Sequence, residues 1–356
     1  MTLIVFILIL SILIFVHEFG HFITAKKLGI KVEEFGFGLP PKIFSRKIGE
    51  TIYSVNWLPI GGFVRLFGED GGDNKKQNKV SNRAFYGKSI LVRLAVLLAG
   101  VTMNIVLGIA CFSFLYFKMG IPAKTEKLAI VEVLKNSPAD IAGLVKDQII
   151  YQVNGTDISS SKQFIETTKQ LAGKEIILTV GKDDRASQII IVPRVSPPAG
   201  EGPLGVVISD TTLRRYPWYK MPYLVIREGF REALSWSGNI LTSLKTMIVG
   251  MVVNGKVPSD IAGPIGIYQI TGQATKAGRL AVIQFAGILS INLAVLNILP
   301  FPALDGGRVM FLGYEIITKR KLKARTEMLI NQIGMFVLLG VMLLITLNDI
   351  IRLVKT

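Results

Sequence analysis

The sequence predicts a polytopic α-helical membrane protein: four transmembrane helices, a membrane-associated β-region and one inserted α+β domain. Three observations predict it. Half of the 356 residues are hydrophobic and mean hydropathy is +0.48, too apolar for an ordinary soluble chain. Four runs, at 3–25, 91–117, 281–303 and 329–347, each approach the ~20 apolar residues that cross ~30 Å of hydrocarbon. Between the second and third runs lies a stretch of soluble character, in which short β patterns alternate with helical ones.

In chain order, residues 1–28 form transmembrane helix 1. It has neither a basic leader nor a small-residue cleavage site, so it is expected to be a retained anchor. Residues 29–88 form a β-region and loop against the membrane. Alternation in "TIYSVNW" and "GGFVRLF" with Gly and Pro punctuation predicts short strands and turns, and polar 69–82 an exposed loop. Transmembrane helix 2 occupies 89–120. In 124–210 the runs "LAIVEVL", "DQIIYQVNG", "EIILTVG" and "QIIIVPRV" read as strands, and "SPADIAGL" and "SSKQFIETTKQL" as helices. "SPPAGEGPLGVVI" adds a turn and a last strand.

Residues 211–280 are expected to form amphipathic surface helices and a linker, and within them 216–256 are ambiguous. "YLVIREGFREAL" carries Arg227, Glu228, Arg231 and Glu232, which suits an amphipathic surface helix. A crossing by the stretch that follows would bury Lys245 and put the basic segments "AKK" (25–27) and "KRKLKAR" (319–325) on opposite sides. The expectation is therefore four spans, with 216–256 lying on the membrane. Residues 281–312 form transmembrane helix 3, 313–328 a basic loop, and 329–356 transmembrane helix 4 with a tail.

Net charge is +16. In a soluble chain that would suggest nucleic acid, but here the basic residues flank apolar runs. The positive-inside bias and attraction to anionic lipid explain them, and no nucleic-acid partner is expected. Cys111 is the only cysteine, which excludes an intrachain disulfide.

The chain's two histidines, His17 and His21, flank Glu18 within the first apolar run, "FVHEFGHF". On a helix, positions i and i+4 share a face about 6 Å apart along the axis. Two imidazoles so placed can ligate one metal ion, and the adjacent glutamate can reach a water beside it as general base. The bland reading is a set of packed polar residues. Inside an apolar segment it loses ground, because uncompensated ionisable groups there are costly and mark function.

Hydrolytic zinc takes three protein ligands and keeps an open position. No histidine remains, so the third ligand is a carboxylate or, less favourably, Cys111. Asp305, in "NILPFPALDGGRV", is the only acid between 281 and 314. With four spans, His17 comes about 21 Å into helix 1 at 1.5 Å per residue. Asp305 ends helix 3, which runs the same way, so both lie toward the "AKK" side.

These features resemble the site-2 protease family of intramembrane zinc metalloproteases, in its bacterial RseP-like branch. "HEFGH" (17–21), "LPIGGFVRL" (58–66), "RLAVLLAGVTMN" (93–104) and "NILPFPALDGG" (297–307) carry the resemblance in order across the chain. It implies His17, His21 and Asp305 as zinc ligands and Glu18 as catalytic acid/base. It implies Asn292 and Asn297 as asparagines that engage an unwound substrate, and Pro300 and Pro302 as breakers of the helix before the ligand. Two positions depart from the family pattern: Val101 replaces a proline, and Arg308 stands where histidine is frequent.

The 31–67 region resembles the family's membrane-associated β-structure. Gly61 and Gly62 there either make turns or present an edge to which substrate adds as a strand. "SPADIAGLVKDQIIYQVNG" and "GPLGVVI" resemble a single PDZ domain of the circularly permuted bacterial type, placed outside the cytoplasm and receiving peptide ends.

The expected function is zinc-dependent endoproteolysis within the inner (cytoplasmic) membrane. It would act on single-pass proteins such as anti-sigma factors or remnant signal peptides, after a first extracytoplasmic cut. The active site would face the cytoplasmic side. A rival reading is a PDZ-bearing membrane scaffold with a structural metal, which has no use for Glu18. A metal transporter would need more His and Asp along its spans.

Overall fold

The computed structural model describes residues 1–69, 82–182, 185–198, 200–254 and 263–355, so most of the expected 69–82 loop lies outside the described residues. The chain divides into two units, one of residues 1–118 with 222–356 and one of 119–221.

In the first unit, α1 (Thr2–Lys27) and α2 (Ile90–Met119) are the first two expected spans. The helix runs unbroken through Val101, so the missing proline leaves α2 without an interruption. In the second unit, β3 (Ile121–Val133), α3 (Pro138–Ile141), β4 (Ile149–Val153), β5 (Thr156–Asp157), α4 (Ser161–Gln170), β6 (Ile176–Lys182), β7 (Arg185–Ile191) and β8 (Val206–Arg214) follow. They make an antiparallel sheet of order β7-β6-β4-β3-β8, with β5 on β4. Its core holds Leu128, Ile130, Ile150, Phe164, Ile176, Leu178 and Leu204, each contributing about 1.5–3 kcal/mol by leaving water. The unit is wider than the expected 124–210, because β3 begins and β8 ends several residues farther out. Ser160 caps α4, accepting from Gln163 N at 3.3 Å, and Asp210 of β8 accepts from Ser161 N at 3.3 Å.

Back in the first unit, α5 (Met221–Asn254) is the longest helix described. It is not among the four long and apolar enough to cross. Its charged start is internally paired, Arg227 and Arg231 both reaching Glu228. Ala233, Trp236, Ile240 and Leu244 then form a stripe packed with Phe112 of α2. Then come α6 (Pro264–Ala277), α7 (Arg279–Ile298), α8 (Asp305–Thr318) and α9 (Ala324–Lys355). Ile291 and Val295 of α7 join the α5 stripe. The expected helix 3 of 281–312 is two helices. Pro300 and Pro302 cannot donate to a helical ladder, so α7 ends at Ile298 and α8 starts afresh at Asp305. The basic loop shrinks accordingly from 313–328 to 319–323. At the far end of α9, Asp349 accepts from Gly266 N in the first turn of α6, at 2.9 Å.

The β-region departs from the expected short strands. It comprises two long strands, β1 (Val32–Ile48) and β2 (Thr51–Leu66), folded back on each other. Tyr53 pairs with both Phe35 and Arg46, and Ser54 with both Gly36 and Ser45. The first half of β2 therefore lies between the two halves of β1. Residues 62–66 pair with the outer side of 32–37. The Ser11 hydroxyl of α1 donates to the Pro59 carbonyl, which fastens this sheet to the first helix.

A polar knot closes the same unit beside Arg93, which is 2% exposed and pairs with Glu315 of α8 at 2.7 Å. Arg308 pairs with Glu69, whose second oxygen accepts from Leu66 N at 3.1 Å. The Tyr86 hydroxyl donates to Glu327 of α9. Burial first, and then that carboxylate, hold the Tyr86 hydroxyl protonated far above its ordinary range. Breaking one member of a buried pair leaves the other charge stranded. Glu315→Leu is expected to destabilise the detergent-solubilised protein by about 3 kcal/mol in chemical unfolding. The double variant Arg93→Met, Glu315→Leu should recover most of that loss.

Candidate metal centre

α1 presents His17 and His21 one turn apart on its buried face, 7% and 9% exposed. Asp305 reaches them as the first residue of α8. His17 Nε2 lies 3.0 Å and His21 Nε2 3.3 Å from the same oxygen, Asp305 Oδ2. The two nitrogens are 3.1 Å apart. Among the described residues this is the group of His, Cys, Asp and Glu side chains that could hold a metal ion.

The donor set fits zinc on two grounds. His21 Nδ1 donates to the Val96 carbonyl of α2 at 2.8 Å, so its Nε2 carries a lone pair. His17 Nδ1 lies 3.2 Å from the Asn104 amide, and Asn104 Oδ1 is buried without a partner. Turning that amide over satisfies both groups: Oδ1 accepts from His17 Nδ1–H, and the second Nε2 is also a lone pair. Three acceptors then face one another with no proton between them, and Asp305 Oδ2 is itself buried without a hydrogen-bond partner. A divalent cation placed among them relieves that arrangement. Their separations also match the ~3.3 Å edge of a tetrahedron with bonds of ~2.0–2.1 Å.

α2 shapes the centre by what it lacks. A Cβ on Gly100 would lie 2.4 Å from His21 Nε2 and 2.8 Å from His17 Nε2. Cys111 sits eleven residues further along α2, about 16 Å of helix away, against Gly287; the carboxylate is the third member of the cluster.

A cavity of about 230 Å³ opens on the centre, lined by His17, Glu18 and Asp305 with Ile14, Leu293, Asn297, Ala303 and Leu304. Asn297 shares a face with Leu293, one turn earlier, and so reaches the cavity. Asn292 is half-buried on α7 and outside that lining. Outside that lining, a Cβ on Gly62 would stand 3.3 Å from Glu18 Cγ. Gly61 adopts φ +116°, a conformation open to glycine. Among the described residues no third strand pairs with the outer edge of 62–66. Arg308 points away to Glu69 and ties α8 to the end of β2. Sequence reading assigned no role to Gly100 or Asn104. The signal was the i, i+4 placing of a glycine and an amide in an otherwise apolar helix.

Gly100→Ala drives a methyl group into both imidazoles. The purified variant is expected to retain its helix content by circular dichroism and to hold less than a tenth of the wild-type zinc.

The chain matches the profile of Peptidase family M50 over residues 5–341. It is 31% identical to the zinc metalloprotease RasP of Shouchella clausii, over 99% of both chains. It is 29% identical to the regulator of sigma-W protease RasP of Bacillus subtilis, again over 99% of both. A Clostridium perfringens protein is 34% identical over 97% of each chain. The crystal structure of the PDZ domain of an SdrC-like protein from Listeria monocytogenes covers 25% of this chain and 93% of its own, at 19% identity and a TM-score of 0.22. The chain belongs to peptidase family M50 and is a zinc metalloprotease of the site-2 protease type.

Proposed function

We propose that His17, His21 and Asp305 hold the zinc and that Glu18 is the catalytic acid/base of an intramembrane endopeptidase. The observation that carries the proposal is the convergence of His17 Nε2, His21 Nε2 and Asp305 Oδ2 within 3.3 Å of one another at a cavity shared with Glu18 and Asn297. When bound, zinc supplies Lewis acidity that makes water a nucleophile near neutral pH. Glu18, in the lining of that cavity, takes the proton from the attacking water and returns it to the leaving amine.

A transmembrane substrate arrives as a helix, with its amides shielded. The open edge beginning at Gly62, next to Glu18, supports strand addition as the device that holds it unwound. Gly61 and Gly62 are the backbone contacts in this reading. Asn297 steadies the substrate backbone from the wall of the cavity, and Asn292 flanks it on α7. Polar groups at membrane depth are tolerated where they line such a cavity.

The substrates are single-pass membrane proteins already trimmed outside the cytoplasm. The relative named for regulating sigma-W favours anti-sigma factors over remnant signal peptides. The enzyme resides in the cytoplasmic membrane, with the site toward the basic "AKK" side. α5 lies on the membrane. The 119–221 unit is a PDZ domain on the outer side, where its edge strand β8 beside α4 receives peptide ends.

Glu18→Gln is expected to keep zinc at the wild-type level while lowering cleavage of a reconstituted single-pass substrate by about 10²–10⁴-fold. Cleavage within threefold of wild type would remove Glu18 from the mechanism.

A further inference from the structure

The six residues between α7 and α8 carry Asp305 to the histidines and have no ladder of their own. Their backbone donors can be accounted for one by one. Leu299 N donates to Leu296 O at 3.2 Å, Phe301 N to Leu299 O at 2.7 Å and Leu304 N to Phe301 O at 3.2 Å. Pro300 and Pro302 have no N–H. The remaining donor, Ala303 N, leaves the segment and reaches Asn331 Oδ1 on α9 at 3.1 Å. Ala303 has φ +72°, a left-handed conformation that a residue with a Cβ resists unless its surroundings hold it. It lies two residues before Asp305 and lines the cavity.

A second contact sits one turn further along the same face of α9. Gly334 is buried, and a Cβ placed on it would stand 2.5 Å from Pro302 Cβ and 2.7 Å from Pro302 O. The α9 backbone thus abuts the loop at the residue before the one whose amide it accepts. Glu327, a turn before Asn331, receives Tyr86, so three successive turns of α9 are fixed against the rest of the unit. Most of the following face is exposed.

The geometry points to Asn331, with Gly334 beside it, as a positioning residue for the metal centre: its side-chain oxygen holds Ala303 left-handed and so aims the Asp305 carboxylate at His17 and His21. Asn331 touches neither metal nor substrate and acts through the loop. The inference rests on the proposed ligand set. It adds that the fourth span, which supplies no ligand, is part of the active site.

The test compares four purified full-length proteins: wild type, Asn331→Leu, Asn331→Asp and Gly334→Ala, with His21→Ala as the reference for loss of a ligand. Zinc dissociation constants are measured by competition with a chromogenic chelator, cleavage on one single-pass substrate, and thermal unfolding in chelator. Asn331→Leu removes the acceptor and is expected to weaken zinc at least tenfold and to lower cleavage in proportion. Asn331→Asp keeps an acceptor oxygen at the same place and should return both within threefold of wild type. Gly334→Ala, which displaces the loop by a different route, should also weaken zinc. Unfolding in chelator should match wild type in the two Asn331 variants, as a general loss of packing would not. Wild-type zinc affinity in Asn331→Leu, with His21→Ala impaired, would overturn the positioning role and leave the ligand set standing. Wild-type zinc affinity in His21→Ala would overturn the ligand set itself.

Discussion

Three electron-rich atoms within 3.3 Å of one another, inside an apolar helical unit, repel one another unless a cation sits among them. Interactions of this kind are far stronger in a low-dielectric interior than in water. Much of the surrounding structure can be understood as what is needed to hold them there. Val96 and Asn104 point the imidazole lone pairs inward from α2. Gly100 leaves the space that the rings occupy, and Gly20 brings α1 within contact of the Ala99 carbonyl. A side chain at either glycine would push the helices apart and dissolve the cluster.

The carboxylate is the harder member to place, because it comes from the far end of the chain and from irregular backbone. Two prolines stop α7, and α8 restarts with Asp305 as its first residue, where a negative charge is also favoured by the helix dipole. Irregular backbone at membrane depth persists only when its polar groups find partners in protein or line a cavity. Here α9 and the cavity share that work. The arrangement leaves a cavity lined by His17, Glu18, Asn297 and Asp305, and β2 comes close to Glu18 at Gly62.

Much of this was legible in the sequence, for identifiable reasons. Hydropathy located the four spans, and the i, i+4 spacing put His17 and His21 on one face with Glu18 at hand. Asp305 stood out as the lone acid of its apolar stretch. What escaped is what has no compositional mark. Gly100, Asn104 and Asn331 are small or neutral residues whose meaning lies in what they touch. The alternation in 51–66 announces strands but not their register, so the double pairing of Tyr53 and Ser54 could not be foreseen. Asn292 and Asn297 looked equivalent until helical phase set only the second on the cavity wall. The break after Ile298 was signalled by its prolines, yet hydropathy alone carries the span past it.

The most direct measurement is zinc per chain, by elemental analysis, on purified wild type and Asp305→Ala side by side. The account predicts about one zinc in the wild type, as a three-ligand catalytic site requires, and its loss or marked weakening in the variant. Zinc held fully by Asp305→Ala, or a wild type that cannot hold zinc when supplied with it, would contradict a centre assembled from α1 and α8.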